Sequence, residues 1–410
     1  MEVMIPKKIS NFLVYIAVLL IPFYFLRFDL RGIPTNPLEI AVGIAFIFTL
    51  ITCLVQKKLK LGSIVLFFLL VIALLGAYLE GDRTAFGIFK GWFLVPFLLY
   101  FSVINNFEGK EIKKITGVLL ASGTIVALWS ILQKFGFVSL AFYQIGDPSF
   151  TQYLSQSRVF GPFESPNYLA MFLAPVLFLG LIDYLESGWF KRIALTVTSL
   201  IFLLSLYLTD SRAGILALAA GCLTLFIGYL AQASRGFISK TLPALLFVLI
   251  SVGMLFFVIP KINLDSGSNM VRKEIYSYSL EMVKANPFTG VGVANFYDQI
   301  NILSQDNPNF RLYGLPYAIH PHNVFLAFWL NFGILGLLAF ILVLGDFFIN
   351  IFNTRSGGLK KYFIAAAMVA ILVHGLFDTT YFKNDLSAIF WLILALAILI
   401  KKEQKIVSSS

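Results

Sequence analysis

HPHNVFLAFWLNFGILG, residues 320–336, passes within four residues from polar loop chemistry into an apolar helix of 27 residues, 323–349. Nothing in that helix alternates with period two, so it is not a strand. At 1.5 Å per residue it is long enough to cross the hydrocarbon layer. Two of the three histidines of the chain, His320 and His322, stand at its mouth.

Working outward, the same pattern recurs. Of 410 residues 59% are hydrophobic and 13% charged, more apolar surface than a water-soluble domain can hide. The runs have helix length, which excludes a β-barrel. We read twelve spans, at 12–28, 37–55, 61–79, 85–104, 115–133, 166–186, 193–208, 213–230, 241–259, 323–349, 362–377 and 386–400. The expected fold is all-α, a polytopic membrane helix bundle. Cys53 and Cys222 lie inside apolar runs and read as small buried hydrophobes. No cleavable leader is expected, because the first run lacks a small-residue cleavage site.

Charge sets the orientation. About 18 of the 31 Lys and Arg fall in alternate short connections, from Lys7–Lys8 through Lys57–Lys60 and Lys110–Lys114 to Lys401–Lys405. The positive-inside bias then puts both termini in the cytoplasm. The net charge of +10 is spread over these connections, so nucleic acid is not an expected partner. Two long connections, 134–165 and 260–322, face outward, and function is expected there. Within the second, Val271, Ile275, Tyr278 and Met282 recur at helical spacing, which predicts an amphipathic helix over 270–285. Asn286-Pro287 stops it, Gly290 and Gly292 mark a tight turn, and a short helix is expected over 295–303.

The outward arginines are Arg158, Arg212 and Arg272. Arg212 follows Ser211, a plausible helix N-cap, and Arg272 is expected to open the amphipathic helix. A cation there opposes the helix dipole, a conflict that a bound anion removes. The same groups could instead meet lipid headgroups or nearby carboxylates. His322 precedes Asn323, the expected cap of its helix. The positive helix end disfavours an imidazolium, which suits a general base. His320 is the rival base, and Pro321 between them argues that one of the two points into the site. His374, with Asp378 one turn onward, reads as structural. The turn at Gly290 and Gly292 could offer N–H groups to a phosphate. No carboxylate pair has metal-ligand spacing, so neither a metal nor another cofactor is expected.

RVFGPFESPNYLA (158–170), TDSRAG (209–214), Arg272 with NPFTGVGVANF (286–296), and HPHNVFLAFWLNFGILG together resemble the O-antigen ligase/polymerase superfamily of membrane glycosyltransferases. The resemblance spans about residues 155–400 in consistent order; spans one to five match only as generic helices. It divides the chain into an N-terminal region (1–155), a ligase-like region (156–400) and a cytoplasmic tail (401–410). It implies metal-free transfer of a glycan from a polyprenyl diphosphate carrier on the periplasmic face of the bacterial inner membrane. By the same resemblance Arg158, Arg212 and Arg272 would hold the diphosphate and His322 would be catalytic. The expected acceptor is the lipid A–core of lipopolysaccharide, making the chain an O-antigen ligase. A polymerase that extends the glycan on its carrier is the alternative within the superfamily. A polysaccharide flippase is the alternative from another class, but it would place polar groups at mid-bilayer in paired broken helices.

Overall fold

A computed structural model describes residues 4–138, 158–232, 267–354 and 357–407. These residues are helical apart from one small hairpin. In chain order they form α1 (Met4–Leu20), β1 (Phe28–Leu30), β2 (Ile33–Thr35), α2 (Pro37–Gln56), α3 (Ile64–Glu80), α4 (Arg83–Phe89), α5 (Val95–Asn106) and α6 (Ile112–Lys134). Then come α7 (Pro166–Gly180), α8 (Trp189–Leu208), α9 (Arg212–Gln232), α10 (Gly267–Ala285), α11 (Phe296–Leu303), α12 (Pro308–Tyr313), α13 (Val324–Phe352), α14 (Lys360–Gly375) and α15 (Asn384–Val407).

Among the described residues nine helices are long and apolar enough to cross a membrane. Twelve spans were expected. Two of the other three are the shorter helices α3 and α14, of 17 and 16 residues, and the expected span at 241–259 lies outside the described residues. The first span begins earlier than its apolar run suggested. It includes Pro6 to Lys8 and gives way at Tyr24 to the hairpin, where Phe28 pairs with Thr35 and Leu30 with Ile33. The hairpin was not foreseen. Its Arg31-Gly32 turn has φ of 52° and 83°, the paired left-handed conformation of a two-residue connection, and its three-residue strands are too short to alternate visibly.

Two helices form the middle of the bundle. The most apolar stretches of α7 and α15 are each 83% buried within the protein, against 22–56% for the other seven spans. Apolar side chains of α2 and α3 such as Ile47, Leu54, Phe68 and Leu79 are exposed, as lipid-facing positions should be. Polar links join helices inside the bundle. Ser10 of α1, Thr49 of α2 and Asn106 of α5 form one buried knot: the two hydroxyls are 2.6 Å apart, and the Asn106 amide donates to both. At the other end of α1, Tyr24 donates to Glu164 at 2.7 Å, and Glu164 pairs with Lys383.

The amphipathic helix is α10, with Ile275 and Met282 fully buried against Phe296, Ile300 and Phe310 of α11 and α12. The following turn docks on α13 at a break. Gly333 has φ 66° and ψ −170°, so the helix is interrupted there. The Leu330 carbonyl accepts from Val291 at 2.8 Å and Gly292 at 3.2 Å, and Ile334 donates to the Phe288 carbonyl at 3.3 Å.

Candidate active site

α13 starts where sequence predicted. Asn323 caps it, its side-chain oxygen accepting from Phe325 at 2.9 Å and Leu326 at 3.1 Å. The Asn323 amide donates to the Leu376 carbonyl, and the Tyr276 hydroxyl lies 2.9 Å from the His322 carbonyl and 3.1 Å from that of Leu376. α10, the mouth of α13 and the end of α14 are thereby locked together. His322 itself has φ 48°, a left-handed conformation rare outside glycine and a mark of a constrained position.

Both histidines face one carboxylate. Asp378 Oδ1 lies 3.5 Å from His320 Nε2 and 3.4 Å from His322 Nδ1, and the two rings meet edge to face at 4.3 Å. The expectation that only one histidine turns into the site is therefore corrected. The left-handed backbone at His322 brings its ring back beside that of His320, despite the intervening proline. Asp378 is 2% exposed and occupies the loop between α14 and α15. Burial would raise its carboxyl, but the imidazoles, His322 foremost, outweigh burial and hold it well below the usual carboxylate range. It also accepts from the Thr379 amide at 2.9 Å and from Asn167 at 3.2 Å. His320 is pushed down to about 4, first by burial and then by His322, with Asp378 opposing. His320 is thus neutral near pH 7.

Each ring has one further polar neighbour. His322 Nε2 donates to the Tyr317 carbonyl at 3.1 Å, and His320 Nε2 lies 3.0 Å from the Tyr168 hydroxyl. Beneath that tyrosine, the Lys383 ammonium stands 3.8 Å over the ring.

Asn167 connects this group to the arginines. Its carbonyl oxygen accepts from Arg158 at 3.1 Å while its amide donates to Asp378. Arg158 is fixed by a second bond of 2.7 Å to the Thr209 carbonyl, at the head of TDSRAG. Burial lowers the hold of Arg158 on its proton; Asp210 opposes, and Arg272 and Arg212 add to the lowering. Arg158 therefore feels the positive charge of both other arginines, an environment that favours an anion. Ser211 caps α9 through the Gly214 amide at 3.2 Å, and Arg212 reaches towards Asn269 of α10 at 3.5 Å. Arg272 is the sixth residue of α10, beyond its first turn. The expected helix-dipole conflict therefore holds for Arg212 alone.

Gly290 and Gly292 do not form a phosphate cradle. The Gly290 amide donates to the Asn286 carbonyl at 2.9 Å and the Gly292 amide to Leu330. Their φ values of 69° and 92° serve the approach to α13. His374 is buried in α14 and neither ring nitrogen finds a hydrogen-bond partner among the described residues. Three participants escaped the sequence reading. Asp378 was assigned to His374 by its spacing, and Asn167 and Tyr168 were taken only as the entry to a span. No linear signal joins residues 167, 320 and 378.

Residues 197–341 match the family model described as O-Antigen ligase. The matched region carries TDSRAG, the NPFTGVGVANF turn and HPHN, three of the motifs that resemble the O-antigen ligase/polymerase superfamily. No curated protein matches the chain. Among the described residues this match accompanies nine helices long and apolar enough to cross a membrane, the pattern of a multi-pass membrane protein.

Proposed function

We propose that this chain transfers a glycan from a polyprenyl diphosphate carrier to an acceptor hydroxyl at the periplasmic face, as an O-antigen ligase acting on lipid A–core. The observation that carries the reading is the Asn167 bridge, which links Arg158 to Asp378, the carboxylate that both imidazoles face. The arginines suit a diphosphate, since guanidinium groups match phosphate oxygens bidentately and can stabilise the leaving charge without a metal.

In this mechanism the acceptor oxygen attacks the anomeric carbon. The bond from that carbon to the diphosphate breaks, and its electrons leave with the phosphate oxygen. The hydroxyl proton passes to His322. With Nε2–H held by the Tyr317 carbonyl, the accepting nitrogen is Nδ1. Asp378 then compensates the charge that the ring gains. The flippase reading expects its polar groups at mid-bilayer; here His320, His322 and Asp378 stand in connections beyond helix ends.

The test uses purified protein in lipid nanodiscs with lipid-linked donor, lipid A–core and a mass readout. Removing a positioned general base costs about 10²–10⁴-fold in rate. His322→Ala is expected to lose transfer on that scale while still binding donor, and Arg272→Lys is expected to weaken donor binding. Normal turnover by His322→Ala would remove the base. Product lengthening on the carrier, with lipid A–core untouched, would make the chain a polymerase.

A further inference from the structure

We propose that His320, His322 and Asp378 form a binding site for one transition-metal dication of the Zn2+ type, and that its occupancy switches transfer off. Binding itself is independent of the functional reading above; the switching rests on His322 as the base.

The geometry begins with a tautomer. Because the Tyr317 carbonyl takes the Nε2 hydrogen of His322, the lone pair of the neutral ring lies on Nδ1, aimed at Asp378 Oδ1 from 3.4 Å. His320 brings Nε2 to the same oxygen at 3.5 Å, with the Tyr168 hydroxyl 3.0 Å from that nitrogen. Both separations are too long for good N–H···O bonds. Two nitrogen lone pairs and a carboxylate oxygen thus converge with no positive charge between them, an arrangement that a cation relieves.

The dimensions fit such an ion. All three ligand atoms lie within 4.8 Å of one another. Zinc bonds of about 2.0–2.1 Å in tetrahedral geometry require ligand–ligand edges of about 3.3–3.4 Å, close to the two edges observed. Metal-bound imidazoles characteristically donate their other N–H to a carbonyl, and ligating carboxylates are themselves hydrogen-bonded. The Tyr317 carbonyl and the Asn167 amide already occupy those positions. A set of two nitrogens and one oxygen suits Zn2+, Co2+ or Ni2+ and is poor for Mg2+ or Ca2+, which prefer oxygen cages. The imidazoles keep some surface, 19% for His320 and 13% for His322, while His322 Nδ1 itself is buried, so an ion enters by displacing neighbouring side chains. An ion on His322 Nδ1 takes the lone pair that would accept the hydroxyl proton. It is an inhibitor and not a participant.

The experiment is a titration of the full chain in lipid nanodiscs with Co2+ and Zn2+, without donor. One ion per chain is expected, with the visible absorption of tetrahedral Co2+ displaced by Zn2+ and not by Mg2+. His320→Ala and Asp378→Asn should each weaken binding at least about tenfold; both are first shown to be monodisperse. Transfer by the wild type should fall on adding Zn2+ and return with chelator. Failure to bind either ion at submillimolar concentration would overturn the site, as would binding that neither substitution weakens. Stoichiometric binding with undiminished transfer would leave the site, overturn the switch, and count against His322 as the base. Loss of transfer in His322→Ala, with no ion bound by the wild type, would overturn only the metal site.

Discussion

The ammonium of Lys383 lies 3.8 Å above the ring of Tyr168, and the hydroxyl of that ring reaches His320. Lys383 also pairs with Glu164, so an ion pair supports the imidazoles from behind. Breaking a buried pair by removing one partner leaves a charge uncompensated, at about 3–5 kcal/mol. Glu164 keeps some exposure, so Glu164→Gln is expected near the lower end, about 3 kcal/mol. Thermal unfolding in detergent should show Glu164→Gln, Lys383→Met and the double variant to be non-additive. Additive losses would mean that the pair contributes no coupling.

Asn167 is the only described side chain shown bonding to both Arg158 and Asp378. Hydrogen bonds to charged groups contribute about 1.5–3 kcal/mol. Asn167→Leu should therefore slow transfer about 10–100-fold while the protein still inserts and purifies. Wild-type turnover in this variant would separate the arginines from the imidazoles.

Acid should destabilise the protein through His320. Its folded value of about 4 lies below the ordinary 6.5, so between these values the unfolded chain binds the extra proton. Stability then rises with pH across this window and falls as pH drops from about 6.5 to 4. Melting temperature measured against pH should show that slope, and His320→Gln should flatten it. An unchanged slope in His320→Gln would assign the effect to other groups.

Gly333 tests the docking of the loop that follows α10. An added Cβ would meet the Phe288 carbonyl, and the φ of 66° disfavours any L side chain. This extended, positive-φ backbone is essentially restricted to glycine and costs other residues about 1–3 kcal/mol, and the contact adds to it. Gly333→Ala should loosen the segment from Asn286 to Tyr317, seen as faster proteolysis there, while the spans still insert. Unaltered protease resistance would show that the turn holds without the break in α13.

Orientation is open to chemical labelling. Cysteines at Lys8 and Asp306, in a background without Cys53 and Cys222, can be probed with an impermeant thiol reagent in spheroplasts. Reaction at 306 and protection at 8 are expected from the distribution of Lys and Arg. The reverse pattern would invert the topology.

The membrane class and most helices were legible because lipid imposes length and apolarity on each segment separately. Local chemistry was equally visible at Asn323 and Ser211, whose caps involve neighbours three residues away at most. The amphipathic stripe of α10 was readable for the same reason. The site itself was not, because its bonds span Asn167 to Asp378 and Tyr168 to His320. Asp378 drew attention only beside His374, four positions away, whereas the fold turns it to more distant histidines. Gly290 and Gly292 could equally have met a phosphate or a helix. Only the break at Gly333, itself a tertiary fit, decides for the helix.

The burial of α15 bears on how the molecule is made. It lies between helices that all precede it in the chain, and it carries Asn384, which accepts from Trp92 at 3.3 Å and donates to Glu39 at 3.2 Å. Until this segment leaves the ribosome, α5 and α7 face a vacant slot, and Glu164 lacks its partner Lys383. An unfinished chain therefore exposes a carboxylate without its ammonium and a lengthwise groove, features that quality-control proteases of the membrane can read. The completing helix closes both at once, so the candidate site is assembled only with the whole bundle.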